Sequence, residues 1–197
     1  MRCPTERSGP GSGSAGRLFL AVDPPADAVA ALDRAVAPLR ELPGAPRWTP
    51  SSRWHLTLVF LGDVAGELLA PLTAAVAPAV AGTPPLTLQL AGAGRFGSPR
   101  RPAVCWAGVA GDVGELTALA GRLGSAVRSV GLPVEDRPFR PHLTLGRWRP
   151  GRPADGDLPE RLAGHRGPVW PVREVVLERS HLAPEPHYER VGAWPLG

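Results

Sequence analysis

Apolar and polar positions along this chain alternate in short units that switch between two periods. Residues 17–22 (RLFLAV) are apolar on both faces of an extended strand and fit a buried β-strand that Pro24 and Pro25 end. Val29, Leu32, Val36 and Leu39 then recur at helical spacing, which predicts an amphipathic helix running up to Pro43. A second strand is expected over 55–61, closed by Gly62, and a second helix on Leu69, Leu72 and Val76, with Pro71 in its first turn. Leu86, Leu88 and Leu90 alternate with Thr87 and Gln89 as a half-buried strand does. The Gly-, Arg- and Ser-rich stretch 92–102, with Phe96 in its middle, reads as a loop that crosses between halves of the protein.

The pattern then repeats. Residues 103–109 form a strand, and Asp112 with Glu115 reads as an acidic capping box. It opens a helix on Leu116, Leu119, Leu123, Val127 and Val130 that Gly131 stops. Another strand follows over 142–147, then a polar stretch over 150–168 with one helical turn near 158–162. Residues 172–182 and 188–194 are expected to close the chain as a hairpin. From Arg17 to His55 the chain advances 38 residues, and from Ala103 to His142 it advances 39. Each half reads strand, helix, strand, short helix, strand, which is an internal duplication of one unit.

The duplication carries a motif: His55-Leu56-Thr57-Leu58 in one half, His142-Leu143-Thr144-Leu145 in the other. On a strand, successive side chains point to opposite faces, so each copy aims His and Thr one way and two leucines into a core. A partly exposed strand-end His and a Thr favoured by β-propensity account for one copy; two copies need a common explanation. Two imidazoles on opposite walls suit an in-line displacement at phosphorus, one taking a proton from the attacking oxygen and the other giving one to the departing oxygen. Their ordinary pKa near 6.5 allows both roles at neutral pH. Thr57 and Thr144 would donate to non-bridging phosphate oxygens, and the scheme calls for no metal and no cofactor. Symmetry of the motifs leaves open which histidine gives the proton and which accepts it.

Composition narrows the setting. No apolar run has the length of a membrane helix, and no secretory signal is evident. Residues 1–16, rich in Pro, Gly and Ser, read as a disordered extension ahead of a domain over 17–197. Cys3 and Cys105 form no disulfide framework and fit a reducing cytoplasm. The chain has no lysine, so its formal charge of +4 comes from arginine, a mild bias toward anionic ligands.

The paired motifs, the opening 17–25 (RLFLAVDPP), 47–64 (RWTPSSRWHLTLVFLGDV), 137–147 (RPFRPHLTLGR) and the ending 180–196 resemble the two-histidine phosphoesterases. The likeness is to their bacterial and archaeal branch, the RNA 2′,3′-cyclic phosphodiesterases, long called 2′-5′ RNA ligases. The resemblance implies an α+β fold of two pseudo-symmetric lobes, antiparallel sheets flanking a central cleft with helices outside. The lobes would correspond to about 17–92 and 103–197, with strand exchange allowed. It also implies opening of RNA 2′,3′-cyclic phosphate ends, or of small cyclic nucleotides, to 2′-phosphomonoesters. His55 would be the proton donor to the leaving 3′ oxygen and His142 the acceptor from water. Thr57, Thr144 and Arg140 would bind the phosphate, and a monomer is expected. Ligation of the cyclic phosphate to a 5′-hydroxyl in the same site, or RNA-end binding without turnover, are the competing readings. Arg147 reads as an RNA-backbone contact or a strand cap. Trp48, Trp54 and Phe139 flank the motif strands as base-stacking or packing residues. His165, His181 and His187 read as surface residues.

Overall fold

The computed structural model describes residues 14–182 and 184–197. Its strands are β1 (Ser14–Val22), β2 (Arg47–Trp48), β3 (Leu56–Ala65), β4 (Leu86–Ser98), β5 (Arg101–Gly111), β6 (His142–Arg147), β7 (Arg166–Val172), β8 (Glu174–His181) and β9 (His187–Pro195). The helices are α1 (Ala26–Val36), α2 (Leu69–Val80) and α3 (Val113–Ser129). Every strand pair is antiparallel. The strands lie in the order β7-β4-β5-β6-β3-β1-β8-β9, with β2 paired to β6. This is the expected α+β architecture, its two sheets being the two halves of one continuous sheet. β4 sits among strands of the second half of the chain, and β8 pairs with β1 with β9 beyond it, so strands from the two halves of the chain interleave in the sheet.

Alternation divides the faces. Leu18, Leu20 and Val22 of β1 enter one large core with Leu32 and Val36 of α1, Leu72 and Val76 of α2, and Leu119 and Leu123 of α3. Phe19 and Ala21 of the same strand face the other way and pack with Val176 against Tyr188. α1 packs on β7 and β4, while α3 packs on β3 and β4 and α2 on α3 and β9. Among the described residues no helix is long and apolar enough to cross a membrane.

Several expectations change. The first strand begins at Ser14 rather than Arg17, and the rest of the expected extension, with Cys3, lies outside the described residues. The stretch 92–102 is not a crossing loop: β4 runs on to Ser98 and turns tightly into β5. Its glycines are strand glycines. A Cβ on Gly94 would stand 2.4 Å from the Trp106 ring, so the hairpin closes only because that position carries no side chain. The Asp112 capping box does not form. The Asp112 carboxylate instead accepts the Thr87 N–H at 2.8 Å, and Thr87 returns its carbonyl to the Asp112 N–H at 2.9 Å. Tertiary pairing with β4 takes the oxygen that the helix N-terminus would have used.

The expected closing hairpin forms as β8 paired with β9, but an unexpected strand, β7, precedes it over 166–172. β7 ends at Val172, at one edge of the sheet, and β8 begins at Glu174, next to the opposite edge strand. One residue, Arg173, joins them, and two peptide units span at most about 7 Å. The sheet must therefore curl until its two ends meet. The Leu196 N–H binds the Arg173 carbonyl at 2.9 Å and ties the chain's last strand to this link.

Candidate active site

The two motifs meet where the lobes meet. β3 and β6 are joined at one register pair, Leu56 opposite Leu143. Continuing that antiparallel register sets Thr57 opposite His142 and His55 opposite Thr144. Leu56, Leu58, Leu143 and Leu145 are buried in the core, so both histidines and both threonines occupy the other face. The sequence pattern alone put His and Thr on one face of each strand; the pairing puts all four on one patch.

The same backbone device orients both rings. His55 Nδ1–H donates to the Arg53 carbonyl at 3.0 Å, and His142 Nδ1–H donates to the Arg140 carbonyl at 2.7 Å. In each neutral imidazole the free lone pair is then on Nε2. The Thr57 hydroxyl donates to His55 Nε2 at 2.9 Å. The repeat thus extends two residues upstream to Arg-x-His-Leu-Thr-Leu. Arg53 is the counterpart of Arg140, and laying one motif over the other in the sequence would have found it.

The surroundings of the rings differ. His55 is stacked on Phe19, centroids 4.6 Å apart, and meets the edge of Tyr188 at 5.1 Å. Burial pushes its pKa down to about 4, against the opposing bond to the Arg53 carbonyl and with some help from the charge of His142. His142 meets Phe96 edge-on at 4.8 Å and Trp106 at 6.5 Å. Its pKa is lowered too, first by burial and then by the charges of Arg147 and Arg140. The exposed Arg140 guanidinium lies 5.8 Å from the Phe96 ring centre. Burial likewise raises the Tyr188 phenol above its ordinary value, with Arg53 and Arg147 opposing.

Phe19, Phe96, Trp106 and Tyr188 are therefore the aromatic residues around the imidazoles. Trp48 and Phe139 pack against the core, and Trp54 packs in it while also lining the cavity beside His55. Phe96 lies in a stretch whose glycine-rich composition reads as a loop, so nothing local places it at the site. Phe19 was visible as an apolar residue on the second face of a two-faced strand. His181 and His187 stack at 4.5 Å, and His181 pairs with Glu189 at 2.8 Å. His165 is not a simple surface residue, for its Nε2 is buried. Among the described residues no group of three or more His, Cys, Asp or Glu is placed to hold a metal.

A cavity of about 770 Å³ opens beside His55. Arg53 and the neighbouring Ser51 and Ser52 line one side, and Glu178, Tyr188 and Arg190 line the other.

Residues 18–183 match the sequence profile of the 2′-5′ RNA ligase superfamily. The chain is similar to a Geobacillus stearothermophilus protein named RNA 2′,3′-cyclic phosphodiesterase, 36% identical over 150 residues. That match covers 76% of this chain and 47% of the relative, so the chain spans about half of its length. An Archaeoglobus fulgidus protein of the same name is 31% identical over 86% of this chain and 93% of its own. Among solved structures, Escherichia coli LigT complexed with 3′-AMP superimposes with a TM-score of 0.74 at 30% identity, covering 92% of this chain and 98% of that one.

Proposed function

Because this chain belongs to the 2′-5′ RNA ligase superfamily, we propose that it hydrolyses RNA 2′,3′-cyclic phosphate ends to 2′-phosphomonoesters, using His55 and His142 as acid and base. The observation that carries this reading is the antiparallel apposition of the two His-Leu-Thr-Leu motifs across one backbone pair. The phosphate sits over that seam. His142, with its Nε2 lone pair free, takes a proton from the water that attacks phosphorus. The P–O3′ bond breaks, and O3′ takes the proton of His55 Nε2–H. Motif position supports this assignment of donor and acceptor. Thr57 and Thr144 donate hydroxyls to the non-bridging oxygens, and Arg140 adds positive charge at the edge of the site.

Resting His55, with a pKa of about 4, is neutral at pH 7. The anionic substrate supplies what is missing: a phosphate between the rings favours the protonated imidazole, so the acid is charged when substrate binds. The Thr57 hydroxyl, which now donates to His55 Nε2, is released to turn toward the phosphate.

The test is a short oligoribonucleotide ending in a 2′,3′-cyclic phosphate, incubated with the protein in excess EDTA, with the product typed as 2′- or 3′-phosphate. A 2′-phosphate is expected, with His55→Ala and His142→Ala each losing about 100-fold or more. Absence of turnover by folded protein overturns the reading. Adding RNA with a 5′-hydroxyl separates hydrolysis from ligation by whether a joined strand appears.

A further inference from the structure

The cavity beside His55 contains a carboxylate that the proposed chemistry does not use. Glu178 of β8 lies opposite Arg190 of β9 in the sheet register, and it is 8% exposed. No hydrogen bond from a described residue reaches its carboxylate; the Arg190 Nε stands 3.9 Å away, too far for one. Arg190 spends its own bonds elsewhere, on Glu174 at 2.6 Å and Asp23 at 3.2 Å, and keeps further N–H groups of the five it carries. Burial holds Glu178 above the usual carboxylate range. Among the described residues its charged partner is that Arg190 ion pair, so its two oxygens keep capacity to accept further donors. Placed in the wall of a cavity, it is an acceptor waiting for a ligand.

The direction of the reaction says which part of the ligand arrives there. This step rests on the hydrolysis reading above. O3′ departs toward His55, so the ribose that carries it, with its base, stands on the His55 side of phosphorus, and the attacking water stands on the His142 side. The volume beside His55, about 770 Å³, is in the range of nucleoside-sized sites. Among the bases, guanine alone presents two adjacent N–H donors, N1–H and the exocyclic amine, to the two oxygens of one carboxylate. Its O6 then falls on the side where a guanidinium can donate. Adenine and cytosine set a ring-nitrogen acceptor beside their amino group, and uracil has a single N–H flanked by carbonyls. We propose that this cavity seats the 3′-terminal nucleoside of the substrate and that Glu178, with Arg190, selects guanine there.

The experiment compares four dinucleotides that differ only in the 3′-terminal base, each ending in a 2′,3′-cyclic phosphate. Each is assayed with the wild-type protein and with Glu178→Gln. Wild type is expected to favour guanine at least about tenfold in kcat/KM, mainly through KM, and Glu178→Gln to narrow the four to within about threefold. Turnover of all four bases at similar kcat/KM, or preference for another base, overturns the selection while leaving hydrolysis in place. Preference for guanine retained by folded Glu178→Gln also overturns it, and no turnover of any substrate overturns both. If the variant does not fold, competition of guanosine against uridine 2′-monophosphate on the wild type decides: equal inhibition rejects the proposal.

Discussion

His55 is held neutral by the same packing that aims it. Its ring is stacked on Phe19, edged by Tyr188 and bonded through Nδ1 to the Arg53 carbonyl, so protonation in the empty site leaves a charge among aromatic rings. Two consequences can be measured. The folded-state pKa of about 4 lies below the unfolded value near 6.5. Between those values the unfolded chain holds a proton that the folded chain lacks, so stability is complete above pH 6.5 and declines as pH falls toward 4. The loss from this group is at most about 1.4 kcal/mol per pH unit. Denaturant titrations at pH 7 and pH 4.5 are expected to show a smaller acid loss for His55→Gln than for wild type. Second, sulfate, which does not titrate in this range, is expected to bind more tightly as pH falls from 8 to 5, by up to about tenfold per unit, with proton uptake visible in calorimetry. A flat profile refutes anion-driven protonation. With the threonines donating to the phosphate as proposed, Thr57→Val and Thr144→Val are each expected to lower kcat about 100-fold with little change in KM.

Among the elements, the β4–β5 hairpin is the one whose role was hidden. It carries Phe96 and Trp106 to His142, and it closes by laying the Gly94 backbone against the indole. Gly94→Ala puts a methyl where the Trp106 ring stands, so the ring has to shift. The expected result is a loss of about 1–3 kcal/mol in stability and a fall in turnover larger than that of an exposed control such as Arg100→Ala. Unchanged activity at unchanged stability contradicts the packing argument. This hairpin also shows where reading the sequence succeeds and fails. Strand β3, helix α3 and the His-Thr faces follow from local periodicity, because each buries one side against a single core. The outer half of β4 has no such signal; it is a strand because β5 pairs with it, and its glycines are kept by contacts with Trp106 and Arg101. The Asp112 carboxylate fails as a helix cap for the same reason, being taken by β4. Local patterns foretell elements that the local chain decides, and the site's aromatic walls were decided by pairing at long range.

At the scale of the whole molecule the sequence repeat and the physical lobes do not coincide. β4 lies between β5 and β7, and β8 and β9 continue from β1, so a fragment ending at residue 99 or one beginning at residue 100, in the β4–β5 turn, leaves strands of the other fragment unpaired. Neither fragment is expected to fold by itself, and mixing the two should restore both circular dichroism and activity if they reassemble. Independent folding of either fragment contradicts the interleaved topology. The two lobes also touch through a single large core, and are bound by the β3–β6 seam and by the one-residue link at Arg173. Fastened at both ends, such a body resists rotation of one half against the other. Large enzymes often spend part of their binding energy on swinging two domains shut over a substrate; the pairing here opposes such a swing. On the proposed reading the acid and base face each other across a seam set by the main chain, and selectivity falls to whatever lines the walls.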